Sequence, residues 1–178
     1  IVEFTPGPDR DYVLMDPSNA YPKKEFTSWR RHILLDKPDI TVVVDDIICQ
    51  KGAEIEARFH SAARQTVRER YVLLDNSGDR MAVIPITVTG DFEIREGSHT
   101  ILLAQRNATM RRVPYFGTVV GARSGRTVLA AVILPVADEN AAKEIAGTLK
   151  GVMDGGGTVD ISFSVGSGTH RYRLPAGT

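Results

Sequence analysis

The feature that most constrains the fold is a recurrence of short apolar or alternating runs, separated by Gly, Pro, Asn and Asp. Period-two alternation and short continuous apolar runs are typical of β-strands, and the separating residues are typical of turns. The pattern predicts strands at 12–15, 26–35, 40–48, 54–60, 71–74, 81–88, 92–94, 100–105, 115–122, 127–136, 158–165 and 169–174. The chain is therefore predicted to be rich in β-structure.

Turn-forming residues at 75–79, 123–126 and 166–168 predict a hairpin at each place, because Asn, Ser and Gly tolerate positive φ. Hairpins without interleaved helices favour an antiparallel sandwich over a parallel sheet. The exception is 138–153, where Asp138 can cap a helix and Ala, Lys, Glu and Leu favour one. We therefore predict an all-β fold, an antiparallel β-sandwich of roughly twelve strands with one short helix near 138–153.

Composition narrows the class of protein and of partner. With 178 residues and 42% hydrophobic content, the chain suits a single β-sandwich domain over 1–178. Its 22 basic and 22 acidic residues cancel, so no net field attracts nucleic acid or an anionic membrane, and neither is expected as a partner. The single cysteine, Cys49, excludes an internal disulfide and any zinc site built on paired thiolates.

The run 26–47 reads as two strands joined at a Lys-Pro-Asp turn, and it carries candidate sugar-contacting residues. Trp29 and Arg31 share one face of the first strand, where a ring and a guanidinium fork could bind an acidic sugar. Cross-strand packing with a salt bridge is the alternative that we favour.

Asp45 and Asp46 are adjacent in the second strand of this run, so their side chains should point to opposite faces. They cannot then serve as a facing acid and base. We expect one carboxylate to pair with Arg30 or Arg31 on the preceding strand, or to bind a turn.

The four histidines, His32, His60, His99 and His170, show no local metal-binding spacing, although they could meet in space. No sequence motif identifies a catalytic residue, and we predict no catalytic group and no metal site in this chain. The tripeptide Asn107-Ala-Thr109 matches the glycosylation pattern, which is short enough to occur by chance.

Four motifs occur in order over the first third of the chain: Asp11-Tyr-Val-Leu-Met-Asp-Pro-Ser-Asn-Ala-Tyr-Pro22, Trp29-Arg-Arg-His-Ile-Leu-Leu35, Lys37-Pro-Asp-Ile-Thr-Val-Val-Val-Asp-Asp46 and Arg58-Phe-His-Ser61. Together they resemble the C-terminal β-sandwich of heparinase II/III-like polysaccharide lyases, a group that includes oligoalginate lyases. The resemblance implies β-elimination on uronic-acid-containing glycans such as glycosaminoglycans or alginate, and it favours a periplasmic or extracellular location.

In such lyases a helical toroid supplies an asparagine, a histidine and a tyrosine, and the early strands of the sandwich supply a further histidine and a zinc site. Those motifs would precede Ile1, so we expect this chain to be the distal, non-catalytic fragment of a larger lyase, with no cofactor of its own. Its expected partners are the N-terminal toroid of the same polypeptide and an acidic polysaccharide. The resemblance makes His60 a candidate substrate-contacting residue, beside Trp29 and Arg31, which the strand face suggests.

Two other functions remain open at this point. An autonomous carbohydrate-binding module would need a row of exposed aromatic rings, and an independent metal enzyme would need the four histidines to converge. The lyase interpretation instead predicts an exposed apolar or mixed patch where the catalytic domain docks.

Overall fold

The computed structural model describes residues 1–20, 26–50, 52–103, 109–122 and 125–175, which form fourteen strands, one α-helix and a short 3-10 turn at Ser18–Ala20. The strands are β1 (Glu3–Thr5), β2 (Arg10–Met15), β3 (Phe26–Asp36), β4 (Ile40–Cys49), β5 (Glu54–His60), β6 (Arg64–Val67), β7 (Val72–Asn76), β8 (Asp79–Thr87), β9 (Glu93–Leu103), β10 (Thr109–Gly121), β11 (Arg126–Pro135), β12 (Lys150–Met153), β13 (Thr158–Val165) and β14 (Gly168–Pro175). The helix α1 spans Glu139–Thr148.

The strands form three antiparallel sheets. The central sheet has eight strands in the order β1-β2-β3-β4-β11-β8-β7-β6. The outer sheet has the order β5-β10-β9, and the small sheet has the order β12-β13-β14. The outer sheet packs on one face of the central sheet, and the small sheet packs with α1 on the other face.

The sequence of β11 explains why it lies in the middle. Its successive residues alternate between two cores: Val128 and Ala130 pack toward α1 and the small sheet, whereas Leu129 and Ala131 pack toward the outer sheet. A strand covered on both faces needs apolar residues at every position, which is why this stretch reads as continuous rather than alternating. The adjoining strand β4 is also buried on both faces, with the two aspartates Asp45 and Asp46 among its apolar residues.

The small sheet shows the opposite pattern. Along β13, Val159, Ile161 and Phe163 are buried against the core. Asp160 and Ser162, between them, are half-buried on the other face. The helix lies beside this sheet and buries Ala142, Ile145 and Ala146. Because only one side of this sheet faces the core, buried and more exposed residues alternate along β13.

The predicted all-β, antiparallel, sandwich-like fold with one helix is confirmed, with fourteen strands in three sheets instead of roughly twelve in a simple sandwich. The helix is shorter than 138–153, because Leu149 adopts extended backbone and the following strand, β12, pairs with β13. The prediction did not include β1, β6 or β12, and the separate strands at 92–94 and 100–105 belong to one strand, β9.

The turns at 75–79 and 166–168 join the paired strands β7–β8 and β13–β14 and are hairpins, as predicted. The hairpin predicted at 123–126 is wrong, because β10 belongs to the outer sheet and β11 to the central sheet. Residues 123 and 124 themselves lie outside the described residues, as do Asn107 and Ala108 of the glycosylation tripeptide.

Candidate functional site

A groove runs along the free edge of β5, where the outer sheet ends and the central sheet continues beneath it. We call it the β5 groove; its volume is about 430 Å³. It is lined by Trp29, Arg31, Asp45, Ile47, Glu54, Ile55, Glu56, Ala57, Arg58 and His60. The structure thus brings together the three residues that the sequence suggested as substrate contacts, His60, Trp29 and Arg31. Their contact with a sugar stays a prediction.

The floor of the β5 groove is a hydrogen-bonded triad on β3 and β4. Arg31 Nε donates to Asp45 Oδ1 at 2.7 Å and its Nη2 donates to Asp45 Oδ2 at 2.8 Å, a bidentate pair. The Trp29 indole Nε1 also donates to Asp45 Oδ1, at 2.7 Å, and the Arg31 guanidinium carbon lies 5.1 Å from the centre of the Trp29 ring. The cross-strand packing and salt bridge that we favoured from the sequence are therefore present.

Asp46 lies on the opposite face of β4, as the strand period required. There it accepts two hydrogen bonds from Arg126 on β11, from Nε at 2.9 Å and from Nη2 at 3.0 Å. Both carboxylates are almost completely buried, at 4% exposure each. Adjacent acidic residues thus serve two separate ion pairs in two layers, which supports a structural role for both.

Charges in the β5 groove are already compensated. Arg31 binds Asp45, Arg58 Nε donates to Glu56 Oε2 at 2.7 Å, and Glu54 binds Arg95 at 2.9 Å. The lining holds three carboxylates against two arginines. A polyanionic glycan therefore gains no net attraction from the groove alone.

His60 lies at one end of the β5 groove. It also belongs to a cluster on the solvent face of the outer sheet, which we call the His60 cluster and which consists of His60 on β5, His99 on β9 and Tyr115 on β10. His60 Nε2 lies 3.3 Å from His99 Nδ1, with the two rings at 76° to one another and their centres 4.6 Å apart. Tyr115 contacts both rings, at centre-to-centre distances of 5.7 Å to His60 and 5.9 Å to His99.

Two features fix the position of the Tyr115 ring. It lies across Gly97, its register partner on β9, and a Cβ atom at Gly97 would come within 2.4 Å of the ring carbon Cζ. Over the ring lies the Arg58 guanidinium, whose carbon is 4.6 Å from the ring centre. The absence of a side chain at Gly97 therefore gives the tyrosine room to lie flat against the sheet.

The other two histidines lie elsewhere. His32 is 3% exposed, and its Nδ1 is 2.8 Å from the Tyr12 hydroxyl. Burial lowers the pKa of His32 below its ordinary value. His170 stacks on Phe163 in the small sheet, at 5.3 Å. Convergence of all four histidines on one metal is therefore wrong, and the described ranges contain no group of three or more His, Cys, Asp or Glu side chains placed to hold a metal ion.

An apolar face of the central sheet adjoins the β5 groove. One cross-strand row runs Phe4–Val13–Ile33–Val43 over β1 to β4. Val43 lies beneath the β5 edge, next to Phe59. The row continues beyond that edge to Phe4, which is 59% exposed. We call the part on β1, β2 and β3 the open flank; Val13 and Ile33 are half-buried there and Phe4 is exposed.

Sequence reasoning missed His99, Tyr115, Gly97 and Arg126 as members of these arrangements. Tyr115 was placed on a strand, but His99 fell between two predicted strands. The sequence around each residue does not reveal that β5 and β9 pair with β10, one on each side of it. If residues 93–103 had been predicted as one continuous strand, His99 would have been placed on a strand that could pair beside Tyr115.

Within the described ranges no helix has the length and apolarity needed to cross a membrane. The single helix has ten residues, of which three are buried against the core. Its apolar side is therefore used for packing inside the protein.

Comparisons with known proteins identify the fold. No family model and no curated protein matches the chain. Among solved structures, heparinase III is similar with a TM-score of 0.74 and 14% identity, over 98% of this chain and 27% of heparinase III. Heparan sulfate lyase HepC from Pedobacter heparinus is similar with a TM-score of 0.71 and 12% identity, over 97% of this chain and 27% of HepC. The chain thus has the fold of one part of these enzymes and spans about a quarter of their length.

Proposed function

We propose that this chain is the β-sandwich part of a polysaccharide lyase that cleaves uronic-acid-containing glycans by β-elimination, and that it braces the catalytic part of that enzyme. One observation carries the proposal: 97–98% of the chain superposes on a segment of heparinase III and of heparan sulfate lyase HepC. The order of the four sequence motifs supports the same assignment. Since both neighbours are named for heparin-type substrates, a glycosaminoglycan is favoured over alginate.

The open flank is the surface that we assign to the catalytic part. It is an apolar sheet face that the outer sheet leaves uncovered, and its row continues directly into the core through Val43. About three quarters of each neighbour's length lies outside the matched segment. A further domain packing on Phe4 and Ile33 would extend the layered core, which is how an apolar face of this kind is normally covered.

The β5 groove lies beside this flank and would then form one wall of the substrate cleft. Its Trp29 ring could contact a sugar face, and His60 stands at its exposed end. Arg31 and Arg58 are held by Asp45 and Glu56, so the wall supplies shape and hydrogen bonds more than charge. Neutralisation of the uronate and removal of its proton are assigned to the catalytic part.

An autonomous carbohydrate-binding module is the weaker proposal. Such a module needs a row of exposed aromatic rings on which sugars stack. Of the aromatic side chains that the structure describes, Phe4 alone is exposed; Trp29 and Tyr115 are half-buried and engaged by arginines.

The test compares this chain with the longer protein that the proposal expects its gene to encode. We expect the longer protein to release unsaturated products from heparan sulfate, heparin or alginate, seen as a rise in ultraviolet absorbance, and this chain alone to release none. Turnover by the chain alone would overturn the bracing role. A longer protein that cleaves none of these glycans would overturn the lyase assignment.

A further inference from the structure

We propose that His60 and His99 form a binding site for a divalent transition-metal ion of the zinc type on the solvent face of the outer sheet. Neither the lyase assignment nor the docking of a catalytic domain is needed for this inference. The zinc site that the family resemblance implies was expected upstream of Ile1, whereas this histidine pair lies on β5 and β9.

The distance between the two nitrogens carries the proposal. Zinc binds imidazole nitrogen at about 2.0–2.1 Å, and a tetrahedral angle between two such bonds places the nitrogens roughly 3.3–3.4 Å apart. His60 Nε2 and His99 Nδ1 are 3.3 Å apart. The two ligand atoms therefore already have the separation that a single tetrahedral ion requires.

The scaffold holds this separation. His60 and His99 lie on two strands that flank β10, and the Tyr115 ring on β10 contacts both histidine rings. Eleven backbone register pairs join β9 to β10 and seven join β5 to β10, so the strands cannot slide independently. A site built on paired strands loses little entropy when it binds an ion.

The surroundings also suit a cation. Arg58, whose guanidinium lies over the Tyr115 ring, is paired with Glu56, and Arg95 on β9 is paired with Glu54 and Glu93. Because His60 is exposed, water molecules can fill the two remaining coordination positions. Imidazole ligands favour Zn²⁺, Cu²⁺ and Ni²⁺ over Mg²⁺ and Ca²⁺, which prefer oxygen.

Metal binding changes the proton arrangement in a defined way. Without metal, one of the two facing nitrogens carries a hydrogen and donates it to the other. An ion bound to both facing nitrogens needs the lone pair of each. The ring whose facing nitrogen carried the hydrogen must therefore hold that proton on its other nitrogen instead. No net proton is released when both rings are neutral, and acid weakens binding because a protonated imidazole cannot act as a ligand.

The experiment titrates this chain with ZnCl₂ and, separately, with MgCl₂, following heat and the ¹⁵N signals of the histidine rings. We expect Zn²⁺ to shift the His60 and His99 ring signals and to reverse the tautomer of one ring, while Mg²⁺ has no effect. Single substitutions His60→Ala and His99→Ala should each weaken zinc binding by at least about tenfold.

His170→Ala is the matched control, since it removes a histidine from another sheet. It should leave zinc affinity unchanged, with circular dichroism confirming the fold of all three variants. The proposal is overturned if zinc binds the His60 and His99 variants as tightly as the parent chain, or if no binding occurs. In either case the two rings form an imidazole–imidazole hydrogen bond and nothing more.

Discussion

At the scale of single residues, the buried charges are the positions where a side chain has the least freedom to change. Asp45 accepts three hydrogen bonds from Trp29 and Arg31, and its side chain is 5% exposed. Arg31 is about one third exposed, so the ion pair lies at the boundary of the core. The carboxylate stabilises the fold by accepting hydrogen bonds from the Trp29 indole and the Arg31 guanidinium at this boundary.

Asp45→Asn should lower the free energy of unfolding by about 2 kcal/mol, because an amide cannot accept both guanidinium bonds and carries no charge to pair with Arg31. Urea unfolding of the two proteins measures the difference. Glu54→Gln is the control: this residue is exposed in the same groove and should change stability by less than about 0.5 kcal/mol. Equal effects of the two substitutions would contradict the structural role of Asp45.

His32 should make stability depend on pH below neutrality. Burial lowers its pKa in the folded chain, while an unfolded histidine has a pKa near 6.5. The unfolded state therefore binds the proton first, so this contribution is complete above about pH 6.5 and is lost as pH falls toward the lowered pKa of the folded state.

The loss due to one group cannot exceed about 1.4 kcal/mol per pH unit. His32→Gln removes the titrating group and should flatten this part of the curve in urea unfolding at a series of pH values. Above about pH 7 the two proteins should differ by a constant amount. A parallel slope in both proteins at lower pH would show that His32 does not carry the effect.

At the scale of elements, strand pairing places side chains that local sequence keeps apart. The outer sheet illustrates this, because β10 pairs with β5 through Tyr115↔His60 and with β9 through Tyr115↔Gly97. The His60 cluster exists only in this register, and a shift of one residue would turn its members to the other face.

Gly97→Ala should displace the Tyr115 ring and separate His60 from His99, because the new Cβ would lie 2.4 Å from the ring carbon Cζ. The contact involves the far end of a movable side chain, so we expect a loss of stability of no more than about 1 kcal/mol. Nuclear Overhauser contacts between the Tyr115 and histidine rings report the displacement. Gly121→Ala is the matched control on β10, where a Cβ meets nothing within 4 Å, and those contacts should persist.

The helix begins at a defined cap. Asp138 has extended backbone, and its carboxylate accepts a hydrogen bond from the Ala141 backbone nitrogen at 2.9 Å. Asp138→Ala should therefore cost about 1 kcal/mol in thermal or urea unfolding. Asp138→Ser, which restores a capping oxygen, should recover most of that loss; failure to do so would mean that the carboxylate acts through something other than the cap.

At the scale of the whole molecule, the described residues of the three layers leave part of one apolar sheet face uncovered. The small sheet and α1 cover one side of the central sheet, and the outer sheet covers only part of the other. The open flank is the remainder, and it lies next to the β5 groove. This asymmetry is what our proposal of a bracing role explains, since a docked catalytic domain would cover the flank and complete the cleft.

Phe4→Ser should weaken the association between this chain and the remainder of the longer protein, while leaving the chain's own stability within about 0.5 kcal/mol. Val152→Ser is the matched control, because Val152 is exposed to a similar degree, 62% against 59%, but lies in the small sheet. Co-purification of the two parts, expressed separately, provides the measurement. Equal behaviour of both variants would argue against docking on the open flank.

Local sequence patterns were sufficient to predict the fold class, most strands and the placement of Asp45 and Asp46 on opposite faces of one strand. These follow from local periodicity and turn residues, which act over a few positions of chain. It also identified Trp29, Arg31 and His60 as residues of interest, through a strand face and a family resemblance.

Which layers form, and which side chains come into contact, depends on interactions between strands that are distant in the chain. The residues at 123–126 are typical of a hairpin, yet β10 and β11 belong to different sheets, because β11 is apolar on both faces and packs between β4 and β8. The approach of His60 to His99 and the pairing of Asp46 with Arg126, 80 positions away, depend on long-range strand order. Strand order depends on the burial of whole sheet faces against one another. The free energy of that burial comes from contacts between distant segments, so no single segment predicts it.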